Sequence, residues 1–486
     1  MTITGPGTWA KRGRAAALLC ASALTACASL PPNTPPRLAK APAAYATQTA
    51  LAAPASDWPV DGWWKRYGDT QLDALIGDAL SGSPTLAQAQ ARLIRARAAH
   101  AVEAATPLPS LDASGNVQQA KQSARYLFPE QFLPPSYQDY GQVTLNLNWE
   151  LDFWGKNRAA VAASSSEAKA AAAEAAEARL VLTTTIAAQY ATLNRLQLDR
   201  DVALESAKVR EETAALVSRR VTNGLDTQAE LKQAQAGPAV ARANVAFLDE
   251  QIAQARNALA ALAGAGPDRG LALKAPSGPP KLAAFGLPAD LPVSLIGRRP
   301  DVVAARWRAE AAAGRIRQAK AAFYPDVNLA AYFGRQALHL ENLTSPAATL
   351  AAVGPAVNLP IFEGGRLRGM LRGAQAERDA AVAAYDETLT EALREVADVA
   401  ASERALTERL GQSRQALESY EGAYRVARLR YQGGLSTFQS VLLAEDAVLA
   451  ERQIVSDLEG RAFTLDVALI RALGGGFGAS KEGPHG

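Results

Sequence analysis

The feature that most constrains the fold is an alternation of side-chain polarity over positions 143–153. Every odd position there is apolar, from Val143 to Phe153, and every even position is polar, from Thr144 to Asp152. A period of two is that of a β-strand with one apolar and one polar face. A strand of this length, at about 3.3 Å per residue and tilted by about 45°, covers a hydrocarbon layer of roughly 25 Å. The segment is therefore either a membrane strand or a half-buried strand of an ordinary sheet.

Helical sequence begins directly after this strand. The tract 156–222 is rich in alanine, glutamate and leucine, contains no proline, and repeats its apolar residues at intervals of three and four. At 1.5 Å per residue such a helix is about 100 Å long. Asn223 and Gly224 predict its end, followed by a returning helix over 227–263. Pro238 is expected to kink or interrupt that returning helix.

The same order of elements occurs twice, which a duplication explains most simply. Residues of the same type lie 210 positions apart in five pairs: Asn148 and Asn358, Gly155 and Gly365, Gly224 and Gly434, Leu225 and Leu435, Gly264 and Gly474. The predicted organisation is a signal peptide (1–26), an N-terminal linker (27–62), a first repeat (63–281), a second repeat (282–476) and a flexible tail (477–486). The first repeat is predicted to contain short helices, strands near 110–120 and 142–153, and long helices near 156–222 and 227–263. The second repeat is predicted to contain strands near 326–335 and 351–362 and long helices near 364–432 and 436–473.

The N-terminus has the composition of a secretory signal, with basic residues at 11, 12 and 14 followed by a short apolar run and small residues. Residues 24–27, LTAC, resemble the bacterial lipobox, which predicts a lipid on Cys27 as the first residue of the mature protein. The alternative is a plain signal peptide that contains a cysteine. Because Cys20 would leave with the signal, neither a disulfide nor a cysteine metal cluster can form.

The balance of charges argues against a nucleic-acid-binding protein, and the lengths of the apolar stretches argue against a protein with transmembrane helices. The predicted signal holds three basic and no acidic residues, so its removal leaves equal numbers of basic and acidic residues in the mature chain. A nucleic-acid partner then lacks its main electrostatic attraction. No later stretch has the roughly 18 consecutive apolar residues of a transmembrane helix. If the protein crosses a membrane, it does so with strands.

Four strands per chain are too few for a membrane barrel, because single-chain barrels begin at about eight strands and an open sheet edge cannot lie in lipid. A dimer would give eight strands with a filled lumen, whereas a trimer would give twelve and leave space for water. The polar inner face favours the trimer. The predicted fold class is therefore mainly α with a twelve-stranded membrane β-barrel formed by a homotrimer. Aromatic residues near the strand end are predicted to lie at the membrane interface: Trp149, Phe153 and Trp154.

Several motifs together resemble those of the outer-membrane factors of tripartite efflux systems, in their TolC/OprM-like lipoprotein branch. Segment 287–334 carries LP, DL and RRPD, then an alanine-rich helix and a strand; WW at 63–64, FEGG at 362–365 and RALGG at 471–475 also match. The resemblance covers essentially the whole mature chain. It implies an outer-membrane location, a long α-helical barrel through the periplasm, and docking through a periplasmic adaptor protein to an inner-membrane transporter, most simply a proton-driven drug pump.

The function implied by this resemblance is that of a passive conduit that carries small molecules such as drugs across the periplasm and the outer membrane. A conduit of the same shape for an ATP-driven protein secretion system is the alternative. A structural coiled-coil lipoprotein is a third possibility, against which the alternation at 143–153 argues. The three histidines fall at no catalytic or metal-ligand spacing. We therefore expect no enzymatic activity and no cofactor.

The resemblance also suggests residues for a periplasmic aperture at the turns between the long helices. Arg430 and Tyr431 match the family's tip-locking pair, and Asp226 is a plausible acidic neighbour. Where relatives carry an aspartate near the start of the last helix, this chain has Leu443, with Glu445 shortly after. For each of these charges, the alternative is a solvated helix end.

Overall fold

The structure is a computed structural model that describes residues 35–41, 44–121, 123, 125, 130–133, 136–275 and 281–478. The predicted signal peptide and the predicted lipid attachment site, Cys27, lie outside the described residues, as does most of the tail predicted over 477–486.

Helices make up most of the chain, as predicted. In chain order they are α1 (Thr70–Gly82), α2 (Pro84–Ala105), α3 (Lys156–Thr222), α4 (Gln228–Leu262), α5 (Asp268–Leu271), α6 (Leu291–Arg298), α7 (Pro300–Ala321), α8 (Arg366–Gln432) and α9 (Phe438–Ala472). Short 3-10 helices occur at Trp63–Tyr67, Glu130–Phe132, Leu340–Thr344 and Pro346–Ala348. Both α3 and α8 have 67 residues, and both α4 and α9 have 35. No helix of the described chain has the length and apolar character needed to cross a bilayer.

Four strands form one antiparallel sheet in the order of the sequence. They are β1 (Ser110–Ala120), β2 (Gln138–Glu150), β3 (Asp326–Leu338) and β4 (Thr349–Asn358). The predicted alternation of β2 is visible in its exposure, since Val143 and Leu145 are 52% and 48% exposed while Thr144 between them is 3% exposed. The outer strands β1 and β4 each pair with one described neighbour. The sheet therefore has two open edges within the described part of one chain.

The central strand β2 is shifted from its predicted position. It covers Gln138–Glu150 rather than 142–153. It begins earlier because Gln138 pairs with Ala120 of β1, and it ends earlier because the last pair with β3 joins Glu150 to Asn328. The alternation continues for three residues beyond that pair. Strand ends are thus set by the neighbouring strands, while the alternation sets only the faces.

The strands of the second repeat differ from the prediction for the same reason. β3 was expected over 326–335 but continues to Leu338, which pairs with Tyr140 of β2. β4 was expected over 351–362 but covers Thr349–Asn358, because its last pair joins Asn358 to Asp326. The four apolar residues 359–362, LPIF, therefore lie outside the sheet.

Of the two effects expected of Pro238, a kink or an interruption of the helix, the interruption is wrong. One helix runs from Gln228 to Leu262 with Pro238 inside it. Proline removes a single backbone donor, and its neighbour Gly237 lets the helix approach α3 closely. A Cβ on Gly237 would lie 3.3 Å from Cδ of Arg210. The segment around Pro238 therefore packs against Arg210 of α3, and Pro238 itself is buried.

The chain forms two compact units, of which the second contains described residues within 39–93, 171–305 and 385–478. Its hydrophobic core begins with the tryptophans of the first repeat. The ring of Trp63 meets Trp64 edge-on with centroids 5.5 Å apart, and Tyr67 meets Phe463 of α9 at 4.8 Å. The hydroxyl of Tyr67 donates a hydrogen bond to Asp466 at 2.5 Å. Aromatic packing of this kind holds the later part of α9 to the short 3-10 helix at Trp63–Tyr67.

Candidate functional site at the ends of the long helices

The two turns between long helices use the same backbone geometry. Gly224 follows the end of α3 with φ 72°, and Gly434 follows the end of α8 with φ 74°. The next residue in each turn, a leucine, donates its N–H to the carbonyl oxygen of Arg220 in the first turn (2.9 Å) and of Arg430 in the second (2.8 Å). This is a glycine-terminated helix end in both repeats. Both turns thus present repeat-related side chains in similar settings.

A buried group of three side chains joins the first turn to the second. Nε of Arg220 donates to Oδ2 of Asp226 at 2.9 Å, and Nη1 of Arg220 donates to the carbonyl oxygen of Tyr431 at 2.9 Å. The hydroxyl of Tyr431 donates to the same Oδ2 of Asp226. The side chains of Arg220 and Asp226 are only 13% and 7% exposed. We call Arg220, Asp226 and Tyr431 the turn cluster.

The turn cluster sits on a small hydrophobic core. The ring of Tyr431 is 1% exposed and lies 6.0 Å, between centroids, from the ring of Phe438 at the start of α9. Val217 of α3 and Val441 of α9 complete the contact. The guanidinium of Arg220 stacks over the Tyr431 ring at 4.4 Å, a cation–π contact. All four long helices end against this core or within one turn of it.

The electrostatics of the turn cluster fix which group donates. Burial, and then the hydrogen bond to Asp226, raise the pKa of Tyr431 above its ordinary value. The hydroxyl therefore keeps its proton near neutral pH and remains the donor to the carboxylate. Hydrogen bonds between a neutral donor and a buried carboxylate are among the stronger ones in proteins.

A second polar group lies farther along the same helices. Thr213 of α3 donates to Glu445 of α9 at 2.7 Å, and Arg210 binds Asp446 at 2.7 Å while its other nitrogen lies 3.8 Å from Glu445. Glu445 is 1% exposed. Burial, above the other causes, raises the pKa of its carboxyl. This group ties α3 to α9 just beyond the turn cluster.

The structure brings together some of the predicted aperture residues and separates others. Asp226 and Tyr431 meet, but Arg430 is exposed and makes no ion pair with a described residue. Arg220, rather than the predicted Arg430, contacts Asp226 and Tyr431. Leu443 is 61% exposed, and Glu445 is buried against α3.

Arg220 was missed although the sequence contained a signal for it. It lies 210 positions before Arg430, which is the offset of the duplication. The predicted arginine, Arg430, belongs to the turn that carries the tyrosine. The arginine that contacts the tyrosine is its counterpart in the other repeat, Arg220.

The predicted interface aromatics lie at one end of the sheet. Nε1 of Trp149 donates to the carbonyl oxygen of Pro107 at 2.9 Å. Nε1 of Trp154 donates to that of Pro325 at 2.9 Å, and its ring stacks on Tyr324 with centroids 4.9 Å apart. Phe153 is 63% exposed. Elsewhere, the described residues contain no group of three histidine, cysteine or acidic side chains that could hold a metal ion.

Comparisons with known proteins cover most of this chain. The family described as outer membrane efflux protein matches residues 75–265 and 291–475. The multidrug resistance outer membrane protein MdtP of Shigella flexneri is 32% identical over 440 residues, which cover 87% of this chain and 88% of MdtP. MdtQ of Escherichia coli O157:H7 is 31% identical over 444 residues, covering 90% and 92%. The crystal structure of the outer membrane protein VceC of Vibrio cholerae superposes with a TM-score of 0.83 at 44% identity, covering 86% of this chain and all of VceC.

Proposed function

Because the chain belongs to the outer membrane efflux protein family, and is thus an efflux channel of the outer membrane, we propose that it is the exit duct of a tripartite pump for drug-like small molecules. The multidrug resistance named for its relatives MdtP and MdtQ supports this class of substrate. A passive duct needs no catalytic group. The proposal therefore includes no enzymatic activity.

We infer that three copies form the channel. Among the described residues, one chain has a four-stranded sheet with open edges at β1 and β4. An unpaired edge has no partner for its backbone groups in lipid. Three such sheets joined edge to edge give twelve strands, enough for a lumen that holds water. The exposed apolar residues of β2 would then face lipid.

The energy for transport must come from a partner, since a duct can only lower the barrier that hydrocarbon presents to a polar solute. We propose an inner-membrane transporter, most simply a proton-driven drug pump, linked through a periplasmic adaptor protein. A lipid on Cys27 remains a prediction that the mass of the mature N-terminal peptide would decide.

The gate of the duct is assigned to the turn cluster. The observation that carries this proposal is that Arg220 and Asp226, from the turn between α3 and α4, hold Tyr431 at the end of α8. Opening that separates the two helical hairpins has to break these contacts. The cluster would therefore stabilise the closed state.

Arg220 and Arg430 provide a matched pair for the test, because they occupy equivalent positions in the two repeats and carry the same charge. Arg220→Ala should raise the conductance of the purified protein in planar bilayers, while Arg430→Ala should change it much less. Equal conductance of Arg220→Ala and the unaltered protein would refute the gate. A wild-type preparation without any channel activity would refute the duct itself.

A further inference from the structure

All four strands have one end in common, at which the chain passes between the sheet and the helices. The terminal pairs at this end join Ser110 to Asn148 and Asp326 to Asn358. Helix α7 ends shortly before β3, and α8 begins shortly after β4. The last turn of α7 and the first turns of α8 therefore lie beside the same end of the sheet.

Large apolar side chains are exposed at this end of the sheet. Phe362 is 89% exposed, Ile361 76% and Phe153 63%. The indole of Trp154 is held in place by its stack on Tyr324. Apolar and aromatic residues exposed together at the ends of membrane strands are typical of the boundary between hydrocarbon and head groups.

Next to these exposed apolar residues lie four cations without an ion-pair partner among the described residues. Arg317 and Lys320 belong to the end of α7, and Arg368 and Arg372 to the start of α8. None of the four side chains makes an ion pair or a hydrogen bond with a described residue. We call these four residues the basic belt.

Nearby arginines show that unpaired charge is not the rule in this region. Arg158, at the start of α3, pairs with Asp152, and Arg366, at the start of α8, pairs with Glu363. Some of the cations at this end of the sheet are thus neutralised by a neighbouring carboxylate, whereas the basic belt has no such partner in the part of the chain that the structure describes.

The stability of α8 does not explain its part of the basic belt. The first turn of α8 contains no acidic residue, and cations near a helix N-terminus oppose the helix dipole. Arg372 follows Arg368 at an interval of four residues, so both cations lie on one face of the helix. An external anion would relieve the repulsion between them.

From these observations we propose that the basic belt binds the head groups of anionic phospholipids in the periplasmic leaflet of the outer membrane. Arg372 lies about 9 Å along the axis from the start of α8, comparable with the depth of a head-group layer of roughly 5–8 Å. Lysine and arginine next to a membrane are attracted to anionic lipid. The inference rests on the proposed function, because it requires the sheet to lie in the outer membrane.

Native mass spectrometry of the purified full-length protein, titrated with phosphatidylglycerol or with zwitterionic phosphatidylcholine, tests this assignment. The variant Arg317→Gln/Lys320→Gln/Arg368→Gln/Arg372→Gln should bind phosphatidylglycerol about tenfold or more weakly, with phosphatidylcholine binding unchanged. A control variant removes the same number and kinds of charges from exposed sites far along the chain, which make no ion pair with a described residue: Lys281, Arg409, Arg425 and Arg461.

Unchanged phosphatidylglycerol binding in the belt variant, or an equal loss in the control variant, would overturn the inference. Should the fourfold variant fail to assemble, Arg317→Gln/Lys320→Gln and Arg368→Gln/Arg372→Gln are measured separately, and a loss in neither overturns it as well. The same spectra report the subunit number of the wild type. A trimer without lipid preference refutes only the basic belt, whereas a monomer refutes the proposed channel.

Discussion

Removing the hydroxyl of Tyr431 tests how strongly the turn cluster holds the channel closed. In Tyr431→Phe the ring can keep its place against Phe438, and Arg220 keeps its bonds to Asp226, so one hydrogen bond is lost. A hydrogen bond to a charged partner contributes about 1.5–3 kcal/mol, and about 1.4 kcal/mol is a factor of ten in an equilibrium constant. If opening breaks this bond, the ratio of open to closed subunits should rise about 10- to 100-fold.

Single-channel recording in planar bilayers measures the fraction of time that the channel spends in the high-conductance state. The ratio of open to closed states follows from this fraction. Tyr424→Phe is the matched control, because it deletes the same atom from the same helix. The hydroxyl of Tyr424 lies 3.5 Å from Glu445, at the limit of a hydrogen bond, so its removal should have a much smaller effect. An unchanged open fraction in Tyr431→Phe, or equal changes in the two variants, would show that the turn cluster does not oppose opening.

Two further predictions concern stability. A Cβ on Gly474, whose φ is 85°, would lie 2.0 Å from the carbonyl oxygen of Arg298. Gly474→Ala should therefore lower the midpoint of thermal unfolding measured by circular dichroism. Gly478→Ala is the control and should leave the midpoint unchanged, because a Cβ on Gly478 would have no atom within 4 Å. Burial, followed by the nearby carboxylate of Asp301, raises the pKa of Glu177 to about 7 from an ordinary 4.5. The folded chain then holds a proton that the unfolded chain releases, so stability should fall as the pH rises from about 4.5 to about 7, and Glu177→Gln should flatten this slope in unfolding curves.

Local patterns predicted the elements of this fold well because the forces that make them are local. The helix predicted over 156–222 is observed as Lys156–Thr222, and the strand predicted over 110–120 as Ser110–Ala120. Both depend on periodicity and on breakers within the segment itself. The ends of β2, β3 and β4 and the continuity of α4 through Pro238 depend on what the neighbouring elements contribute, and the predictions for these were wrong.

The candidate site was only partly predictable for a related reason. Tyr431 could be proposed because it matches the tip-locking pair of the family that the sequence resembles, and Asp226 as a plausible acidic neighbour. Which arginine joins them depends on how two turns, about 200 residues apart in sequence, approach each other. Thr213, the partner of the buried Glu445, gives no signal of its own, because a threonine in a helix is ordinary until an acid is packed against it.

The duplication explains why the turn cluster occurs once in each chain rather than twice. Both turns keep their glycine, and with it the backbone geometry that presents the neighbouring side chains. Position 226 of the first turn holds an aspartate, whereas its counterpart 210 residues later is Ser436, whose hydroxyl is buried without a hydrogen-bond partner among the described residues. Arg430 therefore has no acid beside it in its own turn, and the carboxylate of the first repeat serves the tyrosine of the second. The aspartate stands only in the first turn and the tyrosine only at the second, since the counterpart of Tyr431 in the first repeat is Val221. A single contact of this kind therefore joins the two turns, and the proposed opening has to break it.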